Sequence, residues 1–127
     1  MTSKEYRGKV SNESEEQERI FQWKDYFIKK YPDLEYLYAI PNGEYRPPTT
    51  AARLKRQGVK AGVSDIHLPI KRGDYIGLWI ELKVKPNRPT EKQRQWLDGM
   101  TAHGHYAVVA YGADEAIDVI ERYLSHK

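Results

Sequence analysis

The chain has 127 residues, with 21 lysines and arginines against 18 acids, a net charge of +3 and no cysteine. That length holds one domain with a modest core and leaves no room for a separate recognition domain. Lack of cysteine excludes disulfide scaffolds and thiolate zinc sites.

Residues 1–12 are polar and lack periodicity, so a flexible tail is expected ahead of a single domain over residues 13–127. Ile20, Phe21, Trp23, Phe27 and Tyr31 recur at helical spacing and predict a first helix from Glu13 to Lys30. Ser14 and Gln17 have the spacing of a capping box. Pro32-Asp33 breaks the chain, and Tyr36 to Ile40 reads as a first strand ending in the turn Pro41-Asn42-Gly43. Pro47-Pro48 argues against helix locally, and a short helix is expected from Thr50 to Gln57, stopped by Gly58.

A hairpin from Ser64 to Lys85 comes next, with its turn in Lys71-Arg72-Gly73-Asp74-Tyr75. The rigid link Pro86-Asn87-Arg88-Pro89 leads to a helix capped by Thr90 and running from Glu91 to about His103. His105 to Tyr111 is an apolar strand, and Asp114 to Leu124 a final helix. The order α-β-α-β-β-α-β-α predicts an α/β domain with a mixed central sheet and helices on both faces.

The hairpin carries charge where a plain core strand has none. Leu78, Ile80, Leu82 and Val84 share one face of the second strand, and Trp79, Glu81 and Lys83 share the other, because strand side chains alternate. On the first strand Ile66, Leu68 and Ile70 alternate with Asp65 and His67. Folding about Gly73, the midpoint, sets Asp65 opposite Glu81, with Cβ atoms roughly 5 Å apart. Like charges so close need compensation, and a divalent cation such as Mg²⁺ or Mn²⁺ supplies it. The backbone carbonyl of Leu82 is a further oxygen ligand on this reading. Such a cation acidifies bound water and stabilises charge on a phosphodiester. Lys83 can orient the water or neutralise developing charge.

The basic residues cluster in the middle of the chain. Arg46, Arg53, Lys55, Arg56 and Lys60 occur together with no acid between them, and Lys83, Lys85, Arg88, Lys92 and Arg94 follow. Acids gather in the first and last helices. A basic middle beside two carboxylates fits a polyanion track. Lys60, Arg53, Lys55 and Arg88 are the expected phosphate contacts. Asn42 and Gly43 form a loop that lets a DNA backbone approach, with Tyr45 and Arg46 beside it.

An aspartate followed, after a hairpin, by Glu81-x-Lys83 resembles the PD-(D/E)xK nuclease superfamily. Closer still is the similarity to its VRR-NUC branch, in particular small stand-alone members of phages and prophages. The similarity spans roughly Glu13 to Leu124 and includes Glu16-Gln17, Ala39-Ile40-Pro41-Asn42-Gly43 and Thr50-Ala51-Ala52-Arg53-Leu54-Lys55. It continues through Gly58-Val59-Lys60-Ala61-Gly62-Val63-Ser64-Asp65, Glu81-Leu82-Lys83 and the run from Thr90 to Leu97. Ser64 stands where the superfamily pattern has proline, which is not a ligand. The resemblance implies a restriction-endonuclease-like sandwich, a Mg²⁺- or Mn²⁺-dependent endonuclease and 5′-phosphate products. It also implies a homodimer acting on branched DNA such as four-way junctions.

On the same resemblance an acid of the first helix, Glu16 with Glu13 as rival, completes the metal site, and Gln93 approaches the substrate phosphate. Gln93 also fits a capping box with Thr90 and needs no catalytic role for that. Contact between subunits is expected from the apolar surplus around Tyr75, Trp79 and the last strand. Two other readings are a non-catalytic nucleic-acid-binding module and a site-specific restriction-type endonuclease. No signal peptide is apparent and no apolar run spans a bilayer, so a cytoplasmic location without membrane contact is expected, in the bacterial host if the chain is phage-encoded.

Overall fold

The computed structural model describes residues 12–42 and 46–127. Most of the tail (residues 1–11), Gly43 and Tyr45 lie outside them. Helix α1 spans Glu13–Phe27. Its cap is Asn12 and not Ser14: the Asn12 side chain accepts a hydrogen bond from the Glu15 amide at 2.8 Å. The helix stops short of the expected Lys30. Pro32 disfavours helical geometry at Tyr31, whose backbone turns to φ −125°. Pro32–Tyr36 then forms a 3-10 helix that buries Leu34, so the first strand, β1, is only Tyr38–Ala39.

Helix α2 spans Pro48–Arg56. Pro48 opens this helix, contrary to the expectation that the proline pair would exclude it. In the first turn its missing N–H costs nothing and its fixed φ is already helical. The helix ends in a Schellman turn. Gly58 takes a positive φ of 97°, its amide bonds to Lys55, and the Val59 amide reaches Leu54.

Strands β2 (Ile66–Leu68), β3 (Leu78–Lys83) and β4 (Tyr106–Tyr111) complete a four-stranded sheet in the order β1-β2-β3-β4. The first three strands are antiparallel, and β4 runs parallel to β3. Helix α3 (Glu91–Ala102) makes the crossover between β3 and β4. Helix α4 (Ala113–Ser125) closes the chain. Element order and mixed sheet therefore agree with the expected architecture, with the 3-10 helix added.

The sheet has two differently dressed faces. Leu78, Ile80 and Leu82 join Ile20 of α1 and Ile120 and Tyr123 of α4 in one buried cluster. On the opposite face Trp79 meets Trp96 of α3 edge-on, with ring centroids 5.2 Å apart. Trp79 thus packs beneath α3, and not beneath the first helix. It is buried within the chain and is not available as a surface for a partner. All six residues of β3 are buried, because this strand lies between two neighbours and under helices on both faces.

Candidate active site

Strand β3 positions the charged residues. The pairs Ile66–Ile80, His67–Trp79 and Leu68–Leu78 set the register, and its continuation by one residue places Asp65 opposite Glu81. The Asp65 carboxylate accepts a hydrogen bond from the Leu82 amide at 2.7 Å. In a strand the amide and carbonyl of one residue point to the same edge. The carbonyl of Leu82 therefore also lies on the Asp65 side of β3.

Glu81 is 1% exposed and Lys83 8%. Lys83 Nζ lies 3.7 Å from Glu81 Oε2, while Glu81 Oε1 is buried with no hydrogen-bond partner among the described residues. Burial pushes the Glu81 carboxyl up to about 9, assisted by a hydrogen bond to Asp65 and by the Asp65 charge, with Lys83 opposing. Desolvation outweighs the lysine because that ammonium stands beyond direct hydrogen-bond distance. Without a cation, Glu81 therefore keeps its proton at neutral pH.

A cleft of about 370 Å³ opens onto Asp65 and Leu82 and is lined by Glu13, Ser14 and Gln17 of α1 and by Ala39 to Asn42. Of the two acids considered in α1, Glu13 lines this cleft, and its charge adds to the upward push on Glu81. Asn87 donates to Glu13 at 3.3 Å. Glu16 turns elsewhere. Its carboxylate accepts the Ala113 amide at 2.9 Å and pairs with Arg19 at 3.1 Å. There it caps the start of α4, whose own cap residue, Gly112, has no side chain to do so. Gln93 is likewise committed to its helix: the Thr90 amide donates to its Oε1 at 2.8 Å, and the Gln93 amide donates to Thr90 Oγ1 at 3.2 Å.

No group of three or more His, Cys, Asp or Glu side chains is arranged to hold a metal among the described residues. What the site offers is two adjoining carboxylates, one of them with an orphaned buried oxygen, and one backbone carbonyl. That donor set is all oxygen, which suits a hard divalent cation. The orphaned Oε1 is the atom most in need of a counter-charge.

A larger groove of about 860 Å³ adjoins this cleft, and Asn42 lines both. Arg46, Lys55, Lys60 and Lys92 stand along it with no acid among the described lining residues. Of the predicted phosphate contacts, Asn42, Arg46, Lys55 and Lys60 are therefore gathered in one place, whereas Arg53 and Arg88 are exposed outside it. Asn42 is held by its bond to the Lys60 carbonyl at 2.8 Å. The sequence reading did not single out Lys92 as a groove residue, nor Gln95 beside it. Their signal was the spacing of Lys92 one helical turn from Trp96 and of Gln95 three residues after Lys92, which carries no chemistry until the groove is seen. His67, on the face of Asp65, stacks on Trp79 at 3.7 Å and bonds Tyr38 Oη at 2.8 Å.

The match to known proteins agrees with this geometry. No curated protein matches the chain. A solved structure described as a VRR_NUC domain protein superposes with a TM-score of 0.76 at 34% sequence identity, covering 91% of this chain and 90% of that one. Residues 11–114 match the VRR-NUC domain family. By both matches this is a nuclease-type domain, and the chain belongs to the VRR-NUC family.

Proposed function

We propose that this protein is a Mg²⁺- or Mn²⁺-dependent DNA endonuclease, selective for branched structures such as four-way junctions and active as a homodimer. The observation that carries the reading is the buried Glu81 carboxylate, one oxygen unpartnered, set opposite Asp65 and beside Lys83. Asp65, Glu81 and the Leu82 carbonyl would hold the cation, with Glu13 within the same cleft. When bound, the cation supplies an acidified water and stabilises charge on the phosphodiester.

The remaining steps belong to the chain. Asp65 is held in place by the Leu82 amide. Glu81 would lose its proton to solvent and become a full carboxylate. Lys83, anchored in the sheet, orients the attacking water or neutralises the oxyanion as it forms. Cations of the groove position the phosphates on the approach to the cleft. Two-fold symmetry of a dimer suits a two-fold junction, because paired sites nick opposite strands.

The test is a cleavage panel of linear duplex, single strand, flap and four-way junction with each cation. Asp65→Ala and Lys83→Met should each lower cleavage on the order of a hundredfold or more. Binding in chelator should persist in both variants. An intact panel under every cation would refute the nuclease and favour a binding module. A single preferred sequence in linear duplex would favour a restriction-type enzyme instead.

A further inference from the structure

The groove beside the acid cleft has a composition that a track for duplex backbone does not need. A duplex offers the protein phosphates and sugars on its outside, which cations and amides suffice to hold. Here the cations Lys55, Lys60 and Lys92 stand around apolar surface from Leu54, Val59 and the Trp96 ring. Val59 is 41% exposed, so much of its side chain stays open to the groove beyond the apolar contact with Leu54 that its place in the Schellman turn favours.

Size favours the same reading. About 860 Å³ is at the upper end of the volumes that enclose small organic ligands, and phosphate contacts alone need no such hollow. A positive groove with an aromatic wall is the arrangement that holds unpaired nucleotides, since every base has an apolar face to bury. The described lining residues carry positive charge and no negative charge, which matches a nucleotide strand and opposes a basic peptide.

We infer that this groove receives an unpaired nucleotide stretch of the substrate, its bases against Leu54, Val59 and Trp96 and its phosphates on Lys55, Lys60 and Lys92. The inference rests on the nuclease reading and narrows it, because a strand that must unpair to enter selects DNA with open or frayed bases near the cut. Asn42, common to groove and cleft, marks where the strand passes from one to the other.

The experiment measures binding of an oligothymidylate and of a blunt duplex of equal length to the full chain in chelator. The expected result is tighter binding of the single strand, with quenching of tryptophan fluorescence that is lost in Trp96→Phe, whose smaller ring should weaken the single strand more than the duplex. Val59→Asn should weaken the single strand roughly fivefold more than the duplex. Equal or tighter binding of duplex overturns the inference, as does single-strand binding that leaves Trp96 emission unchanged. Either outcome leaves the nuclease assignment standing, because cleavage with Mg²⁺ or Mn²⁺ is scored separately. Conversely, single-strand binding without any cleavage would remove the nuclease reading and keep the groove.

Discussion

Glu81 shows how one carboxylate can link stability, pH and cation binding. Unfolded, it has an ordinary pKa of 4.5; folded, it is raised to about 9. Between these values the native state holds one more proton than the unfolded chain. Stability from this group is therefore full below the lower value and falls as pH rises toward the upper one. Melting temperature should decline across this window in chelator, with a slope of roughly 1 kcal/mol per pH unit from this group. Glu81→Gln should flatten the decline, and Mg²⁺ should oppose it by replacing the proton; an unchanged slope in the variant would contradict the assignment. Glu13 and Glu16, three residues apart in α1, should separate cleanly. Glu13→Gln should raise the Mg²⁺ concentration needed for cleavage and leave melting nearly unchanged. Glu16→Gln should lower the melting temperature, through loss of a charge-assisted bond to Ala113, with little effect on the cation requirement.

At the scale of elements, the register of the hairpin decides whether there is a site at all. The tip pairs Arg72 with Tyr75, while the ladder below pairs Leu68 with Leu78. Between these pairs lie Pro69, Ile70 and Lys71 on one side and only Ile76 and Gly77 on the other. Had the ladder simply continued from the tip, Asp65 would face Leu82, since a one-residue slip moves side chains to the other face. Bonds outside the hairpin hold the second arm instead: the Ile76 amide donates to Gly104, and Gly77 accepts from Tyr106. Another constraint lies at Gly62. Its φ is +91°, and a Cβ there would sit 2.8 Å from the Lys92 carbonyl oxygen. Gly62→Ala should cost roughly 1–3 kcal/mol and, by pushing the Lys60 loop from α3, weaken nucleic-acid binding as well. Urea unfolding and an affinity titration would check both effects. Thr90→Ala, which removes only the cap, should cost about 1 kcal/mol and leave cleavage nearly intact.

Across the whole molecule, the acid cleft and the basic groove lie side by side, with Asn42 lining both. Neutralising Lys60 by Lys60→Gln should weaken binding of all DNAs and reduce the slope of log affinity against log salt by about 0.9 for a duplex. Nitrocellulose-filter or anisotropy titrations over a salt series would measure it. Sedimentation should give a particle of twice 14.9 kDa if the homodimer forms. Its surface must exclude Trp79, which is enclosed by His67, Trp96 and His105. Ile76 and Tyr106, at 52% and 36% exposure, remain on the outside near the last strand.

Much of this protein could be read directly from its residues. Alternating apolar positions, prolines and glycines delimited the main elements, because these signals act through local backbone sterics. The placement of Asp65 opposite Glu81, and of Lys83 beside Glu81, followed from strand period and a symmetric fold about Gly73. That symmetry held in the ladder although the tip is offset, an outcome imposed by contacts with β4 and its preceding loop that no hairpin rule contains. Tertiary packing alone decided which acid of α1 faces the cleft, since two acids a turn apart are equivalent until α4 arrives and needs its first amide capped. It also decided that Trp79 is interior and that Lys92 and Trp96 join Lys55 and Lys60. Local signals set the conformation of each segment; desolvation and charge pairing between segments distant in the chain assign the side chains their partners.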